Sequence, residues 1–261
     1  TVRLTTLSPF QNMFGFSPDG RLFAIADGDG VVHILHSAAS SDNGKEDVLI
    51  PTLTPMPTSP SLSTNTPAPT AAIESTFPDL KVIKTDSFDD PNNSQLRLDP
   101  SVAKIENGVL QFIGRNWTGG VHYDPKLQEG QGIIINFKYT QDSEFEMLFE
   151  NGGWNTDTYK RFGVYIVNDR AETNIWQGKT PLGQTLKGSL DFSLDTWYSL
   201  LLVIRKNNEF YARIWNPENP AQTVEYKNTF GAAWSDLSWT FKIGANNGTI
   251  LFDDFKELQI K

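Results

Sequence analysis

Apolar and polar positions alternate through much of the chain from residue 109 onward, which predicts β-strands rather than helices. Turn residues such as Asn151-Gly152-Gly153 and Asn246-Asn247-Gly248 separate the apolar runs. Many short strands with turns at regular intervals are typical of an antiparallel β-sandwich. The predicted strands span residues 109–114, 132–140, 144–150, 161–168, 173–178, 197–206, 209–215, 239–245 and 249–260.

Three of these strands carry information about which face is buried. In 144–150, Phe145, Met147 and Phe149 are expected to point one way, and the glutamates with Leu148 the other. Segment 209–215 alternates in the same manner. The run 200–204 is continuously apolar, which predicts a central strand covered on both faces.

The segment before residue 37 has a different pattern. Three short apolar runs within 12–35 are separated by Pro18-Asp19-Gly20 and by Asp27-Gly28-Asp29-Gly30. Because Asp-Gly supplies the positive φ that tight hairpins need, we predict a three-stranded antiparallel meander over residues 1–36. The stretch resembles a WD40-type propeller repeat, except that Leu35-His36 stands where Trp-Asp would end the third strand. One blade cannot bury its own faces, so we expect the rest of a propeller upstream of Thr1.

A proline-rich run lies between these two parts. Of the twenty residues 51–70, fifteen are Pro, Thr or Ser, and none is charged. Such a composition cannot build a core and favours an extended, solvated linker. The predicted organisation is therefore a meander at 1–36, a linker at 37–76 and a sandwich at 77–261.

Composition limits the function classes. The net charge of −9 argues against nucleic acid or an anionic membrane surface as a partner. The chain has no cysteine, which excludes disulfides, thiolate metal sites and cysteine nucleophiles. No apolar run is long enough to span a membrane. The style of the linker favours an extracellular or cell-surface protein.

Four short motifs carry a family resemblance: 86–91 (DSFDDP), 107–112 (NGVLQF), 197–213 and 250–255 (ILFDDF). Their order and spacing resemble the concanavalin A-like/laminin G-like jelly rolls attached to bacterial secreted proteins, which include carbohydrate-binding modules and 3-keto-disaccharide hydrolase-like domains. The resemblance implies an all-β fold, a two-sheet antiparallel sandwich. It also implies frequent sugar binding and, often, a structural calcium ion.

The candidate calcium ligands are acids near the two ends of the sandwich. Carboxylate oxygens suit calcium, and in jelly rolls of this type the first and last strands are neighbours. Asp86 lies in the same stretch as the first two candidates and could join them. The alternative is that all of these aspartates are ordinary turn and surface acids. The metal candidates are Asp89, Asp90, Asp253 and Asp254.

Tryptophans beside glycine and amide residues form the candidate ligand site. A tryptophan ring offers a flat apolar face to a sugar, and Asn, Gln and Arg hydrogen-bond to its edges. The alternative is that these rings seal the ends of the core. The ligand-binding candidates are Trp117, Trp154, Trp176, Arg115, Asn151, Asn155 and Arg161.

Segment 144–150 also suggests a catalytic alternative. Glu144, Glu146 and Glu150 resemble the E-x-D-x-x-E pattern of sandwich-fold glycoside hydrolases, in which two carboxylates act as nucleophile and acid/base. Here the middle residue is glutamate and the last spacing is one residue longer, and a polar outer sheet face is the simpler interpretation. The sequence thus favours a non-catalytic carbohydrate-binding module. A glycoside hydrolase-like enzyme and a structural self- or protein-interaction domain are the alternatives.

Overall fold

The computed structural model describes residues 14–16, 22–26, 32–36, 76–140, 143–167 and 169–261. The chain divides into two compact units, Thr1–Ser59 and Pro60–Lys261. Helix in the described residues is nearly confined to the 3₁₀ turns Lys206–Asn208 and Ala232–Trp234. In that part of the chain, no helix has the length and apolar character needed to cross a membrane.

The first unit contains a small antiparallel sheet. Strands β1 (Phe14–Phe16), β2 (Leu22–Ala26) and β3 (Val32–His36) pair in the order β1-β2-β3. This confirms the predicted meander. Its place in a propeller and almost all of the predicted linker fall outside the described residues, and both stay predictions.

The second unit is a sandwich of two antiparallel sheets, as predicted. The strands of the eight-stranded sheet are β5 (Leu96–Leu98), β8 (Thr118–Leu127), β10 (Glu144–Asn151), β11 (Lys160–Val167), β12 (Arg170–Thr173), β13 (Trp176–Gln177), β14 (Thr180–Pro181) and β19 (Trp239–Asn247). They pair in the order β14-β13-β11-β10-β19-β8-β5, with β12 paired to β11.

The strands of the nine-stranded sheet are β4 (Leu80–Asp86), β6 (Ala103–Glu106), β7 (Val109–Ile113), β9 (Gln131–Tyr139), β15 (Lys187–Ser189), β16 (Tyr198–Arg205), β17 (Glu209–Asn216), β18 (Asn219–Thr229) and β20 (Thr249–Ile260). They pair in the order β15-β18-β17-β16-β9-β20-β7-β6, with β4 paired to β20. The first strand of the sandwich, β4, is thus next to the last strand, β20, as the resemblance implied.

The main core lies between the two sheets, and strand alternation decides which residues enter it. Phe145, Met147 and Phe149 of β10 belong to it, as predicted. Alternate residues of β17 also belong to the main core, namely Phe210, Ala212 and Ile214. Because one face of β10 is committed to this core, Glu146, Leu148 and Glu150 are presented on the outer face of the eight-stranded sheet.

A second, smaller core covers the outer face of the nine-stranded sheet. Leu201 and Val203 of β16 point into it, while Leu200, Leu202 and Ile204 point into the main core. This explains the continuous apolar run of β16 and confirms that the strand is covered on both faces. The cover is residues 77–80, the entry segment, whose Phe77 ring lies 5.6 Å from that of Trp215.

The entry segment is expected to contribute substantially to stability. Phe77 is buried against Trp215, and Arg213 lies over both rings. We expect Phe77→Ala to lower the free energy of unfolding by about 3 kcal/mol, as for other buried phenylalanines. Denaturant unfolding would measure this, with Ile83→Ala, an exposed position on β4, as the control. A cost below about 1 kcal/mol would show that the segment is only loosely docked.

Candidate functional site

The outer face of the eight-stranded sheet carries a groove of about 660 Å³. That volume lies within the range of small-molecule sites. Strands β10 and β11 supply its floor, the segment from β12 to β13 supplies one wall, and Trp117, Trp154 and Lys242 complete the lining. The lining residues are Trp117, Glu146, Glu150, Trp154, Tyr159, Arg161, Tyr165, Glu172, Thr173, Asn174, Trp176 and Lys242.

Strand register explains why these residues share one face. Glu146 of β10 is opposite Tyr165 of β11, and Glu150 is opposite Arg161. Arg161 is in turn opposite Trp176 of β13. Directly opposed residues of antiparallel strands point to the same side of the sheet, so the outward residues of β10, β11 and β13 meet in one row.

A buried polar network forms the centre of the floor. Arg161 Nη1 lies 2.9 Å from Glu146 Oε2, and Asn174 Nδ2 donates to the same oxygen at 2.8 Å. Asn174 Oδ1 accepts from Arg161 Nη1 at 3.3 Å. Only 8% of Glu146 and 9% of Arg161 is exposed. A charge pair this buried needs its full set of partners, and here each member has several.

Burial also shifts the titration of Glu146. Removal from water raises the pKa of this carboxyl group above its ordinary value, and the positive charges of Arg161 and Lys242 counteract only part of that effect. Glu146 therefore takes up a proton at higher pH than an exposed glutamate. Its hydrogen bonds to Arg161 and Asn174 link that protonation to the shape of the groove.

Trp154 and Trp176 form an aromatic corner at one end of the groove. Their rings are 5.5 Å apart and close to perpendicular, and Trp154 meets Tyr159 at 5.3 Å. Arg161 lies 4.8 Å from the centre of the Trp154 ring, a cation–π contact. Trp176 Nε1 donates to Asn174 Oδ1 at 3.1 Å. Both tryptophans are thus held by partners of Glu146.

The loop that carries Trp154 is fixed at both ends. Gly152 has φ +84°, and a Cβ there would lie 3.3 Å from Tyr159 Cα, so glycine suits this close turn. The Gly178 amide donates to the Tyr159 carbonyl at 2.7 Å. Trp154 is nevertheless 60% exposed, the highest value among the large apolar residues that are exposed in the described chain. A rigidly placed and exposed indole is a suitable surface for a ligand ring.

Trp117 stands at the other end of the groove. It follows Asn116, and both residues have left-handed backbone, with φ of 58° and 48°. This conformation costs a tryptophan on the order of 1 kcal/mol, and such strain is often found at functional sites. The ring is 41% exposed and lies 5.9 Å from that of Tyr165. The fold thus keeps a large apolar ring at the surface in a backbone conformation that costs stability.

Glu150 occupies the part of the groove next to the aromatic corner. It accepts a hydrogen bond from the Tyr159 hydroxyl at 3.3 Å and lies 3.7 Å from Lys242 Nζ. Tyr159 in turn accepts from Arg161 Nε at 2.7 Å. Burial raises the pKa of Tyr159 to about 12, so the phenol stays neutral and keeps its donor at neutral pH.

The structure brings together four of the seven predicted ligand residues, Trp117, Trp154, Trp176 and Arg161, and two of the three glutamates. The other candidates are not among the residues that line the groove. Asn151 Nδ2 donates to the Ser238 carbonyl, and Asn155 sits in the Trp154 loop with φ 62°. Glu144 accepts hydrogen bonds from Tyr165 and Asn246, and Arg115 lies outside the lining set.

Several groove residues did not emerge from the sequence. Tyr159, Tyr165, Glu172, Thr173, Asn174 and Lys242 line the site. Tyr165 was accessible to prediction, because it lies four residues from Arg161 on a strand and therefore shares its face. Asn174 was not, because its role depends on a contact with Glu146, 28 residues earlier.

The aspartates proposed as calcium ligands do not assemble. Asp90 accepts from the Asn92 amide at 3.0 Å, Asp89 from the Ser87 hydroxyl at 2.6 Å, and Asp254 forms an ion pair with Lys256. Asp253 is buried on β20. The described residues contain no group of three or more His, Cys, Asp or Glu side chains placed to hold a metal ion. The turn and surface alternative fits Asp89 and Asp90 but not the buried Asp253, and calcium binding stays a prediction.

Comparisons with known proteins establish the fold of this chain and nothing further. No protein-family profile and no curated protein matches the sequence. Several solved structures with the same fold are described as glucanases. One is a non-specific endo-β-1,3(4)-glucanase of family GH16, with 10% identity, a TM-score of 0.52, and coverage of 70% of this chain and 92% of that one.

Two further structures share the sandwich. The endo-β-1,3-glucanase from Pyrococcus furiosus has 10% identity, a TM-score of 0.52, and coverage of 70% and 95%. A protein of Mycobacterium tuberculosis described as an immunostimulatory antigen and pseudo β-1,3-glucanase has 9% identity, a TM-score of 0.50, and coverage of 69% and 99%. At these identities the likeness shows that the fold is a concanavalin A-like jelly roll, and it does not identify an activity.

Proposed function

We propose that the sandwich binds carbohydrate in this groove and does not cleave it. The observation that carries the proposal is the convergence of Trp117, Trp154 and Trp176 on one open groove whose floor is polar. Flat apolar rings above a set of carboxylate, guanidinium and amide groups suit a sugar, which has apolar ring faces and hydroxyl edges. The glucanase names of proteins with this fold make β-1,3-linked glucans the first probes.

The contacts of the groove glutamates support binding rather than hydrolysis. Glu150 accepts a hydrogen bond from the Tyr159 hydroxyl at 3.3 Å and lies 3.7 Å from Lys242 Nζ. Glu146 is moreover occupied by Arg161 and Asn174, and Glu144 by Tyr165 and Asn246.

Hydrolysis is the second candidate, and one feature favours it. Glu146 has the burial and raised pKa that suit a general acid, and Glu150 lies on the same strand face. The decisive measurement is release of reducing ends from β-1,3-glucan by the wild-type protein. Turnover that disappears in both Glu146→Gln and Glu150→Gln would replace the binding proposal with an enzymatic one.

The binding proposal predicts that Trp154→Ala removes most of the affinity. The exposed ring is expected to contribute at least about 2 kcal/mol, as for other aromatic hot spots, which corresponds to a loss of about 30-fold. A glycan array should identify the ligands, and titration calorimetry should measure the loss. The matched control is Trp197→Ala, since Trp197 packs near Lys138, outside the groove lining.

Two outcomes would contradict this proposal. Equal losses in the Trp154 and Trp197 variants would show that the groove is not the binding site. No glycan binding, together with concentration-dependent assembly of the protein in sedimentation, would favour the structural interaction domain instead. An extracellular or cell-surface location also belongs to the proposal, because the uncharged Pro/Thr/Ser run suits an exposed tether.

A further inference from the structure

The groove has aromatic rings at both of its ends. At one end Trp117 lies beside Tyr165, which we call the Trp117 platform. At the other end Trp154 contacts both Trp176 and Tyr159, which we call the Trp154 platform. All five rings belong to the lining of the same groove. A ligand therefore meets two separate apolar surfaces rather than one.

The strand register gives the direction from one platform to the other. Tyr165 is opposite Glu146, whereas Arg161, beneath Trp154, is opposite Glu150 and Trp176. Tyr165 and Arg161 lie on the same face of β11 and are four residues apart. At about 3.4 Å per residue the platforms are separated by about 14 Å along the strands.

The surface between the platforms is polar. Glu146, Arg161 and Asn174 form the floor, and their polar atoms largely satisfy one another. Glu172 is exposed on one side, and Lys242 extends from the other side toward Glu150. These two side chains offer an acceptor and a donor to hydroxyl groups, while the floor is already organised.

We propose that the ligand is an oligosaccharide whose chain runs parallel to β10 and β11, with one sugar ring on each platform. This inference rests on the proposed function. A monosaccharide or disaccharide is too short to reach both platforms, because they are separated by about 14 Å. Longer chains engage the Trp117 platform as well as the Trp154 platform, so affinity rises sharply once the chain spans both and then reaches a plateau.

The test measures affinity against ligand length. The probes are β-1,3-linked glucose oligomers from the monosaccharide to the hexasaccharide, titrated into the whole chain. For the wild type we expect the short oligomers to bind at least 10-fold more weakly than the long ones. Trp117→Ala should lower the affinity for long oligomers to that for short ones and leave the short ones unchanged. Trp154→Ala should weaken all of them.

The control variants separate ring stacking from folding. Trp117→Phe keeps an aromatic ring and should restore the length dependence, and Trp197→Ala should not alter it. Thermal unfolding of each variant verifies that the sandwich is intact. If the disaccharide binds as tightly as the hexasaccharide, or if Trp117→Ala weakens both equally, the two-platform arrangement is wrong while carbohydrate binding stands. If none of the oligomers binds and the glycan array shows no other ligand, both proposals fail.

Discussion

Replacing Arg161 with alanine is expected to lower the free energy of unfolding by about 3–5 kcal/mol, because it leaves the buried Glu146 carboxylate without its counter-ion. The same change removes the donor to Tyr159 and the cation beneath Trp154. Affinity for glycan should fall as well, since the Trp154 ring loses the group that supports it. Urea unfolding measures the first effect, and calorimetric titration of the folded variant measures the second.

A pair of further variants shows whether the loss comes from the unpaired charge. Arg161→Met combined with Glu146→Gln removes both charges and keeps similar volumes, so the double variant is expected to be more stable than Arg161→Ala. Arg161→Lys should be intermediate, because lysine has neither the planar fork nor the stacking face of arginine. If Arg161→Ala costs less than about 1 kcal/mol, the pair behaves like an exposed ion pair and the groove floor is not preorganised.

The alternation along β10 explains why part of this site was predictable. A period of two assigns Phe145, Met147 and Phe149 to the core and Glu146 and Glu150 to the opposite face without knowledge of any partner strand. The tryptophans could be proposed as ligand residues from their glycine-rich and amide-rich surroundings, and three of them line the groove. Local chemistry therefore located the candidate residues, although it did not show that they meet.

Contacts between strands determine the remainder of the site. The hydrogen bonds of Glu146 to Arg161 and Asn174 depend on the pairing of β10 with β11 and on the path of the chain after β12. Strand β18 (Asn219–Thr229) escaped prediction because only two of its residues are buried, which leaves little apolar alternation. The calcium hypothesis correctly assumed that the first and last strands are neighbours. However, Asp86 and Asp90 accept hydrogen bonds from nearby backbone amides, and Asp254 forms an ion pair with Lys256.

Acidification is expected to weaken glycan binding by about 10- to 100-fold. Hydrogen bonds to an ionised group contribute about 1.5–3 kcal/mol, and protonated Glu146 no longer holds Arg161 and Asn174 as an ion. Because burial raises the pKa of Glu146, the loss of affinity should occur at a higher pH than it would if Glu146 had the ordinary glutamate pKa of about 4.5. The charged groups acting on it are Arg161 of β11, Lys242 of β19 and Glu150 of its own strand.

The effect of Glu146 on stability has the opposite sign, which separates weakened binding from unfolding. Its pKa in the folded state is raised above the unfolded value. The stability linked to its protonation is therefore fully present below about 4.5 and is lost as the pH rises through the raised folded value. Acid in this window favours the fold through Glu146 while it loosens the groove. As the pH falls, the free energy of unfolding of the wild type, measured in urea, should therefore rise relative to that of Glu146→Gln, while the affinity of the wild type for glycan falls.

Glu146→Gln is the variant that assigns the pH dependence to this residue. It should bind glycan weakly at neutral pH and lose the pH dependence, since glutamine does not ionise. His122 is the competing group: burial lowers its pKa, and it is opposite Lys242 in the sheet. His122→Gln should therefore leave the wild-type profile unchanged. If the midpoint of the pH dependence of affinity persists in Glu146→Gln and shifts in His122→Gln, the titrating group that controls binding is the histidine and not the buried glutamate.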